Sequence, residues 1–349
     1  MDMKKNILLS FITLFLTLIA IEGMLRSIGM EPAHAYEQKH VFKVSPDSLI
    51  VVDKKLGWHL GTGTFSAYIN NDLLFTCSIN NRSNRVTQLN LQDTDVANQA
   101  LLPKIFILGC SFTFGFSVPD SAAYPFLLQN TLPRYAVQNL GVPGYGLIQM
   151  YLSLKSEVEK GNKPNIVVVN YAKFHDERGA LGLNWLRAFD YGQLQHEQKR
   201  HLQIDYPFGY LVNEDSLTIA YCKQIDWAKD FPLRNTFALI DLINTAYDNW
   251  KDERNEKIFV SISLHCACKI SDYCRQNNIK LLFYGLDKEA KPLLDSLSKK
   301  GNHTLLSTVE IWKEELNCSP LDPGHPNAKA HQIYAHEVLD FMQKNNLLE

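Results

Sequence analysis

Ser111 is the residue whose type and place best suggest chemistry. It follows the apolar run Ile105–Leu108 and the turn residue Gly109. Side chains at the carboxyl ends of strands in an open parallel sheet line the ligand crevice, so a serine there can serve as a nucleophile. The alternative is that Gly109 and Ser111 only turn the chain and cap a following helix. Thr113 occupies the last position of G-x-S-x-G, which disfavours an α/β-hydrolase elbow.

Asp322 and His325 could supply the other groups that a serine nucleophile needs. An imidazole must accept the hydroxyl proton, and an acceptor must fix its tautomer and stabilise its charged form. Both residues lie on one short stretch, where Pro323 and Pro326 restrict the backbone. The alternative is a helix-start loop with a solvated aspartate and an incidental histidine.

Two further runs follow predicted strands. The run 139–146, NLGVPGYG, can present backbone N–H groups toward the crevice, as an oxyanion hole requires. Its glycine order is not the dinucleotide fingerprint, and no Walker lysine follows. The run 171–178, YAKFHDER, either contributes to the same edge or forms a solvated charged loop.

These residues depend on elements that the apolar pattern predicts. Short apolar runs alternate with helical stretches from Pro103 onward, which indicates parallel strands with crossover helices. The predicted strands are Lys104–Leu108, Ala136–Leu140, Ile166–Tyr171, Lys280–Tyr284 and Thr304–Thr308. The predicted helices are Leu147–Lys160, Ile258–Gln276, Lys288–Lys299 and Ala328–Lys344.

The segment 179–255 is too long for an ordinary connection and is predicted to be an insertion or cap. It carries Trp185, Trp227 and Trp250. We expect these aromatic residues to pack within the cap, although stacking on sugar rings is the alternative.

The N-terminal residues differ in kind from the rest of the chain. Lys4 and Lys5 precede the uncharged run Asn6–Ile21, which predicts a membrane anchor. A cleaved signal is the main alternative. The only A-x-A match to a cleavage site, Ala33–Ala35, however lies well downstream of the apolar run. A buried soluble helix is the third interpretation. The charge bias predicts an exported, periplasmic or extracytoplasmic body. The resulting division is an anchor or signal over 1–30, a β-rich entry region over 31–100, and a catalytic domain over 101–349.

Composition excludes several classes of protein. Hydrophobic residues make up 46% and charged residues 21%, which is too apolar for intrinsic disorder. Lys plus Arg total 35 against 37 Asp plus Glu, so no field favours nucleic acid as a partner. Seven cysteines at irregular spacing do not indicate a disulfide framework. On the predicted helix, His265, Cys266, Cys268 and Cys274 scatter around the axis, so we predict packing cysteines and neither a metal nor a cofactor.

The ordered set GCSFTFG, NLGVPGYG, YAKFHDERG and LDPGHPNAKAHQ resembles the SGNH hydrolases, or GDSL-type esterases, and in particular their membrane-anchored bacterial envelope members. The resemblance implies a flavodoxin-like three-layer α/β/α sandwich with a five-stranded parallel sheet. It also implies Ser111 as nucleophile, His325 as base and Asp322 as its orienter. Backbone N–H groups of Ser111 and Gly141 would hold the oxyanion.

Two positions depart from the family pattern. Cys110 stands where the family has an aspartate before the serine, and we expect it to pack in the sheet. His175 aligns with the asparagine that completes the oxyanion hole, and a neutral imidazole can donate one N–H in its place.

The sequence therefore predicts a serine esterase for an acyl ester on a small molecule or an envelope glycan. An O-acyltransferase with the same site and a non-catalytic glycan-binding or scaffold protein remain alternatives.

Overall fold

The computed structural model describes residues 3–32, 42–88, 101–194, 204–213, 216–223, 230–310, 313–319 and 322–348. The description of 189–194, 318–319 and 322–323 is limited to the backbone. Trp227 and the Ala33–Ala35 match lie outside the described residues.

The N-terminal part consists of one helix and a small β region. Helix α1 spans Met3–Ser27; strands β1, β4 and β5 form an antiparallel sheet, and β2 pairs with β3. The bounds are β1 Phe42–Ser45, β2 Ile50–Asp53, β3 Gly57–Leu60, β4 Gly63–Ile69 and β5 Asp72–Ile79.

The remaining elements follow in chain order. They are β6 Lys104–Gly109, α2 Ser111–Phe114, α3 Tyr124–Thr131, β7 Ala136–Gly141, α4 Leu147–Glu159, β8 Ile166–Tyr171, α5 His175–Ala180, α6 Leu183–Leu194, β9 Asp205–Asn213, β10 Ser216–Lys223, α7 Ala238–Gln276, β11 Lys280–Gly285, α8 Lys291–Lys299, β12 His303–Leu306, β13 Asn317–Ser319, β14 Asp322–Pro326 and α9 Ala328–Lys344.

The core of the chain is a five-stranded parallel sheet with helices on both faces. Its strand order is β12-β11-β8-β6-β7, which is the flavodoxin-like order. Helices α3 and α9 cover one face, and α4, α7 and α8 cover the other. Because both faces are buried, every residue of β8 is buried, and the strand begins with the apolar run Ile166–Val169. The predicted fold and all five predicted strands are confirmed.

The predicted insertion contains α6, the β9–β10 hairpin and the first half of α7. The helix predicted to start at Ile258 begins at Ala238, so its predicted start is wrong. In its second half, Ile262, Cys266 and Ile270 face the core. In its first half, large apolar residues are exposed on the side opposite the core. The periodic pattern of buried apolar residues therefore does not continue toward the N-terminus of the helix.

Helix α1 is long and apolar enough to cross a membrane, and none of its most apolar stretch is buried against the protein. Secretory signals share this length and composition. The helix does contact the rest of the chain near its end, where Leu25 is buried.

The cysteines of α7 pack as predicted: Cys266 and Cys274 are buried in the core, and Cys268 is partly buried against it. The described residues contain no group of three or more His, Cys, Asp or Glu side chains suited to a metal ion.

Candidate active site

Ser111 is the first residue of α2, directly after β6 reaches the carboxyl edge of the sheet. The turn requires glycine before it, because a Cβ on Gly109 would lie 1.9 Å from Thr113 Oγ1. Cys110 is the N-cap residue and is fully buried in the core. Ser111 is 7% exposed and lines an open cavity of about 600 Å³. The fold therefore places the predicted nucleophile at a ligand-sized opening.

The chain after Ser111 is fixed by Arg85 from the entry region. Arg85 Nη1 donates to the carbonyls of Phe114 and Gly115 at 2.9 and 2.5 Å, and Nη2 donates to Val118 O at 2.7 Å. Its guanidinium also lies 4.8 Å from the Phe114 ring centroid. Arg85 thus bonds three carbonyls at and after the end of α2 and holds the backbone that follows the nucleophile.

The His325 imidazole packs against two aromatic residues that follow Ser111 in the chain, Phe112 and Phe116. Its centroid lies 5.6 Å from the Phe112 ring and 4.6 Å from the Phe116 ring. Gly324 and His325 line the same cavity as Ser111. The structure thus brings together two residues that are separated by more than half of the sequence.

Asp322 lies in β14, where its backbone pairs with Ser319 of β13. Its side chain lies outside the described residues. The role of Asp322 as the orienter of His325 therefore stays a prediction.

Gly141 does not lie on the wall of the Ser111 cavity. Its N–H donates to Asn139 Oδ1 at 3.0 Å, and a Cβ there would lie 2.3 Å from Phe114 N. Its observed role is close packing of β7 against α2. The role of the Gly141 N–H in an oxyanion hole stays a prediction.

His175 is fully buried and does not line the cavity. Its Nδ1 accepts from Ala172 N at 3.3 Å, and Nε2 has no hydrogen-bond partner among the described residues. Burial lowers the pKa of His175 well below its usual value, so the ring is neutral and carries its proton on Nε2. The role of His175 in an oxyanion hole therefore stays a prediction.

Arg178, one turn beyond His175, does reach the cavity. Its guanidinium lies between two rings, 4.4 Å from Phe174 and 4.2 Å from Trp185, and Nη1 donates to Tyr145 O at 3.0 Å. Its Nε is buried without a partner among the described residues. Sequence reasoning missed this residue because a charged position in a predicted loop resembles a solvated one.

The cavity wall is strongly acidic. Lys173 pairs with Glu256 at 2.6 Å on this wall. Burial raises the pKa of Asp176 to about 6, although Tyr171 Oη donates to its Oδ1 at 2.8 Å. The carboxylates of the wall are Asp176, Glu177, Asp252, Glu253, Glu256, Asp287 and Glu289, against the two cations Lys173 and Arg178.

Comparisons with known proteins gave matches among solved structures only. No family model and no curated protein matches the chain. The chain is similar to the psychrotrophic esterase EstA from Pseudoalteromonas sp., with 13% identity over 69% of this chain and 97% of that chain and a TM-score of 0.40. TesA matches with 12% identity over 70% and 99% and a TM-score of 0.38. A lipolytic protein of the G-D-S-L family from Veillonella parvula matches with 12% identity over 69% and 98% and a TM-score of 0.28. Structures described as G-D-S-L proteins and esterases are thus among those that the chain resembles.

Proposed function

We propose that the protein is a serine ester hydrolase of the SGNH type that cleaves an uncharged O-acyl ester of a carbohydrate. The observation that carries the proposal is the convergence of Ser111 and His325 on one cavity, with the imidazole packed on Phe112 and Phe116. A serine hydroxyl and an imidazole that line one cavity at the carboxyl edge of a parallel sheet are the components of nucleophilic acyl transfer.

The reaction follows from these two groups. Ser111 Oγ attacks the acyl carbon while His325 accepts its proton, and the carbonyl oxygen becomes the oxyanion of a tetrahedral intermediate. The bond to the alcohol breaks, and His325 returns the proton to the departing oxygen. Water then attacks the acyl-enzyme with His325 as base, which releases the carboxylic acid and restores the Ser111 hydroxyl. Asp322 is assigned the role of fixing the imidazole tautomer.

We assign stabilisation of the oxyanion to the Ser111 N–H and to Arg178. The Ser111 N–H stands in the first turn of α2, where amide groups lack partners within the helix. Arg178 lines the same cavity, and its Nε has no hydrogen-bond partner among the described residues. A guanidinium held by two rings is a preorganised donor for developing negative charge.

The charge of the cavity wall favours an uncharged acyl ester. Among the described residues of the wall, seven carboxylates against two cations repel an anionic group near Ser111. A carbohydrate ester satisfies this condition, and it can form hydrogen bonds with acidic side chains.

We also propose that α1 is a membrane anchor that holds the catalytic domain outside the cytoplasm. The support is the length and apolar composition of the helix, together with Lys4 and Lys5 at its start.

The proposal is tested with the full-length protein in detergent and a short-chain aryl acetate as substrate. Ser111→Ala should lower kcat by about 10⁴-fold or more, as removal of a nucleophile does in other serine hydrolases. Ser153→Ala, on α4 away from the cavity, should retain activity. A fluorophosphonate probe should label the parent protein and not Ser111→Ala. Equal hydrolysis by Ser111→Ala and the parent would show that Ser111 is not the nucleophile.

A further inference from the structure

The first half of α7 has its polar and apolar faces reversed. Its buried face carries Asn244, Asp248 and Asp252, whereas large apolar side chains point outward. The outward residues are Leu242, Ile243, Tyr247 and Trp250, with exposed fractions of 40%, 46%, 40% and 50%. We call these four residues the α7 outer face. A surface helix of a globular protein normally turns its apolar stripe toward the core, so this arrangement needs an apolar environment outside the protein.

The reversal is fixed by specific hydrogen bonds. Asp252 accepts from the N–H groups of Leu183 and Asn184 at 2.9 and 2.8 Å and so caps the start of α6. Asp248 accepts from Arg187, which also belongs to α6. These contacts prevent α7 from rotating its apolar residues inward, because rotation would leave buried carboxylates without partners.

On the inner face, Asn244 supports the same arrangement. Its Nδ2 donates to Asp248 Oδ2 at 2.9 Å, and its Oδ1 accepts from Phe231 N at 2.7 Å. The polar network of the inner face is thus continuous along the first half of α7.

Helix α1 ends at the start of this same helix. Glu22 accepts from the N–H groups of Ala238 and Leu239, each at 3.0 Å, and so caps the N-terminus of α7. Arg26 Nη2 donates to Thr236 O at 2.8 Å. The end of an apolar, unburied helix is therefore attached directly to the first turn of α7, about 6–18 Å along the helix axis from the outer-face residues.

We infer that the α7 outer face lies against the lipid surface of the membrane that α1 spans. The inference rests on the proposed anchor. Because α1 is attached to the first turn of α7, any bilayer around α1 must end close to the first turns of α7. Lipid is therefore the partner that we expect on the α7 outer face. Trp250 and Tyr247, with ring centroids 6.0 Å apart, are residue types that concentrate at membrane interfaces. The Arg254 guanidinium lies 4.7 Å from the Trp250 ring, where it can face lipid headgroups.

This contact bears on the choice of substrate. Asn249, Asp252 and Glu253 lie on the same turns of α7 and line the cavity that contains Ser111. The cavity consequently opens beside the bilayer, and its substrate is an acyl ester presented at the membrane surface.

The test uses tryptophan fluorescence of the full-length protein in nanodiscs of phosphatidylethanolamine and phosphatidylglycerol, with and without brominated acyl chains. Brominated lipid should quench the parent, and Trp250→Phe should lose most of that quenching. Trp58→Phe, which removes a fully buried indole, should keep it. Equal quenching of the parent and Trp250→Phe would overturn the inference. If brominated lipid does not quench Trp250, aqueous acrylamide shows what surrounds this residue. Quenching by acrylamide indicates water, and protection from both quenchers indicates a second copy or another protein. Either result contradicts lipid contact.

A second measurement separates this inference from the proposed function. Ile243→Asp should hydrolyse a soluble aryl acetate at the parental rate but cleave an O-acetylated neutral glycolipid in the same nanodiscs at least several-fold more slowly. Equal loss on both substrates, or on neither, would contradict the inference. If the protein hydrolyses neither substrate, the proposed function fails, and the quenching result still decides the membrane contact.

Discussion

Arg85 and Asp120 form a buried ion pair, with Nε and Oδ1 2.7 Å apart, that joins the β-rich entry region to the loop after α2. Asp120 also accepts from Ser78 N at 2.9 Å, in β5. The backbone of Arg85 forms bridges with Ile79 of β5 and Asn139 of β7. The entry region is thus bonded to both the central sheet and the backbone that follows Ser111.

We expect Arg85→Met to destabilise the protein by about 3–5 kcal/mol, because it leaves the Asp120 carboxylate buried without its cation. Loss of the bonds to Phe114 and Gly115 should also lower esterase activity in the protein that remains folded. The thermal unfolding midpoint and kcat of the full chain in detergent measure the two effects. Arg82→Met, an exposed arginine of the same turn, should change neither. A loss below about 1 kcal/mol would show that the pair is dispensable.

Phe116 is expected to position the catalytic imidazole. Phe116→Leu removes the ring that lies 4.6 Å from His325, and the histidine gains freedom to leave its place near Ser111. We expect kcat to fall by about 10-fold or more with little change in KM, because a small displacement of a catalytic group has large effects on rate. Phe42→Leu is the control, since Phe42 contacts Phe116 at 5.6 Å and is not one of the rings against His325. Equal effects of both variants would indicate general packing.

Asp176 should make the stability of the protein depend on pH. Its pKa rises from 3.8 to about 6 on folding because burial penalises the charged form. The folded state then holds the proton more tightly than the unfolded state, so stability falls as pH rises from about 4 to about 6 and stays lower above that. A pKa difference of about two corresponds to about 3 kcal/mol.

The variant Asp176→Asn should remove this penalty while its amide oxygen still accepts from Tyr171 Oη. We expect the variant to be more stable than the parent at about pH 8 and close to it at about pH 4, as measured by unfolding midpoints at both values. A difference that does not vary with pH would assign the effect to packing.

Glu22 should control the local stability of the first turn of α7. Glu22→Ala removes the acceptor for Ala238 N and Leu239 N, and loss of a helix cap costs about 1 kcal/mol. Amide hydrogen exchange of the peptide that begins α7 should therefore accelerate about 5-fold, while exchange in α9 stays unchanged. Glu22→Gln, which retains one carbonyl acceptor, should give an intermediate rate. Unchanged exchange in Glu22→Ala would show that the cap does not hold the two helices together.

The sequence determined the parallel sheet and the position of Ser111. A strand buried on both faces needs apolar residues at successive positions, so β6 and β8 are visible in the chain as the apolar runs Ile105–Leu108 and Ile166–Val169. Ser111 follows one such run, and its place at the sheet edge comes from local connectivity alone. The helix Ala328–Lys344 is equally local, because a single apolar face repeats along its whole length.

Only the tertiary structure decided which other groups meet Ser111. His325 packs against Phe112 and Phe116, which lie far from it in the sequence. Arg178 lines the cavity because two rings and Tyr145 O hold its guanidinium in place. Gly141 N–H is satisfied by Asn139, and His175 is buried, which motif spacing does not reveal. The sequence did not predict the first half of α7 because the face that it turns inward is polar. Periodicity locates apolar faces, but the partner of each hydrogen-bonding group depends on residues brought near by the fold.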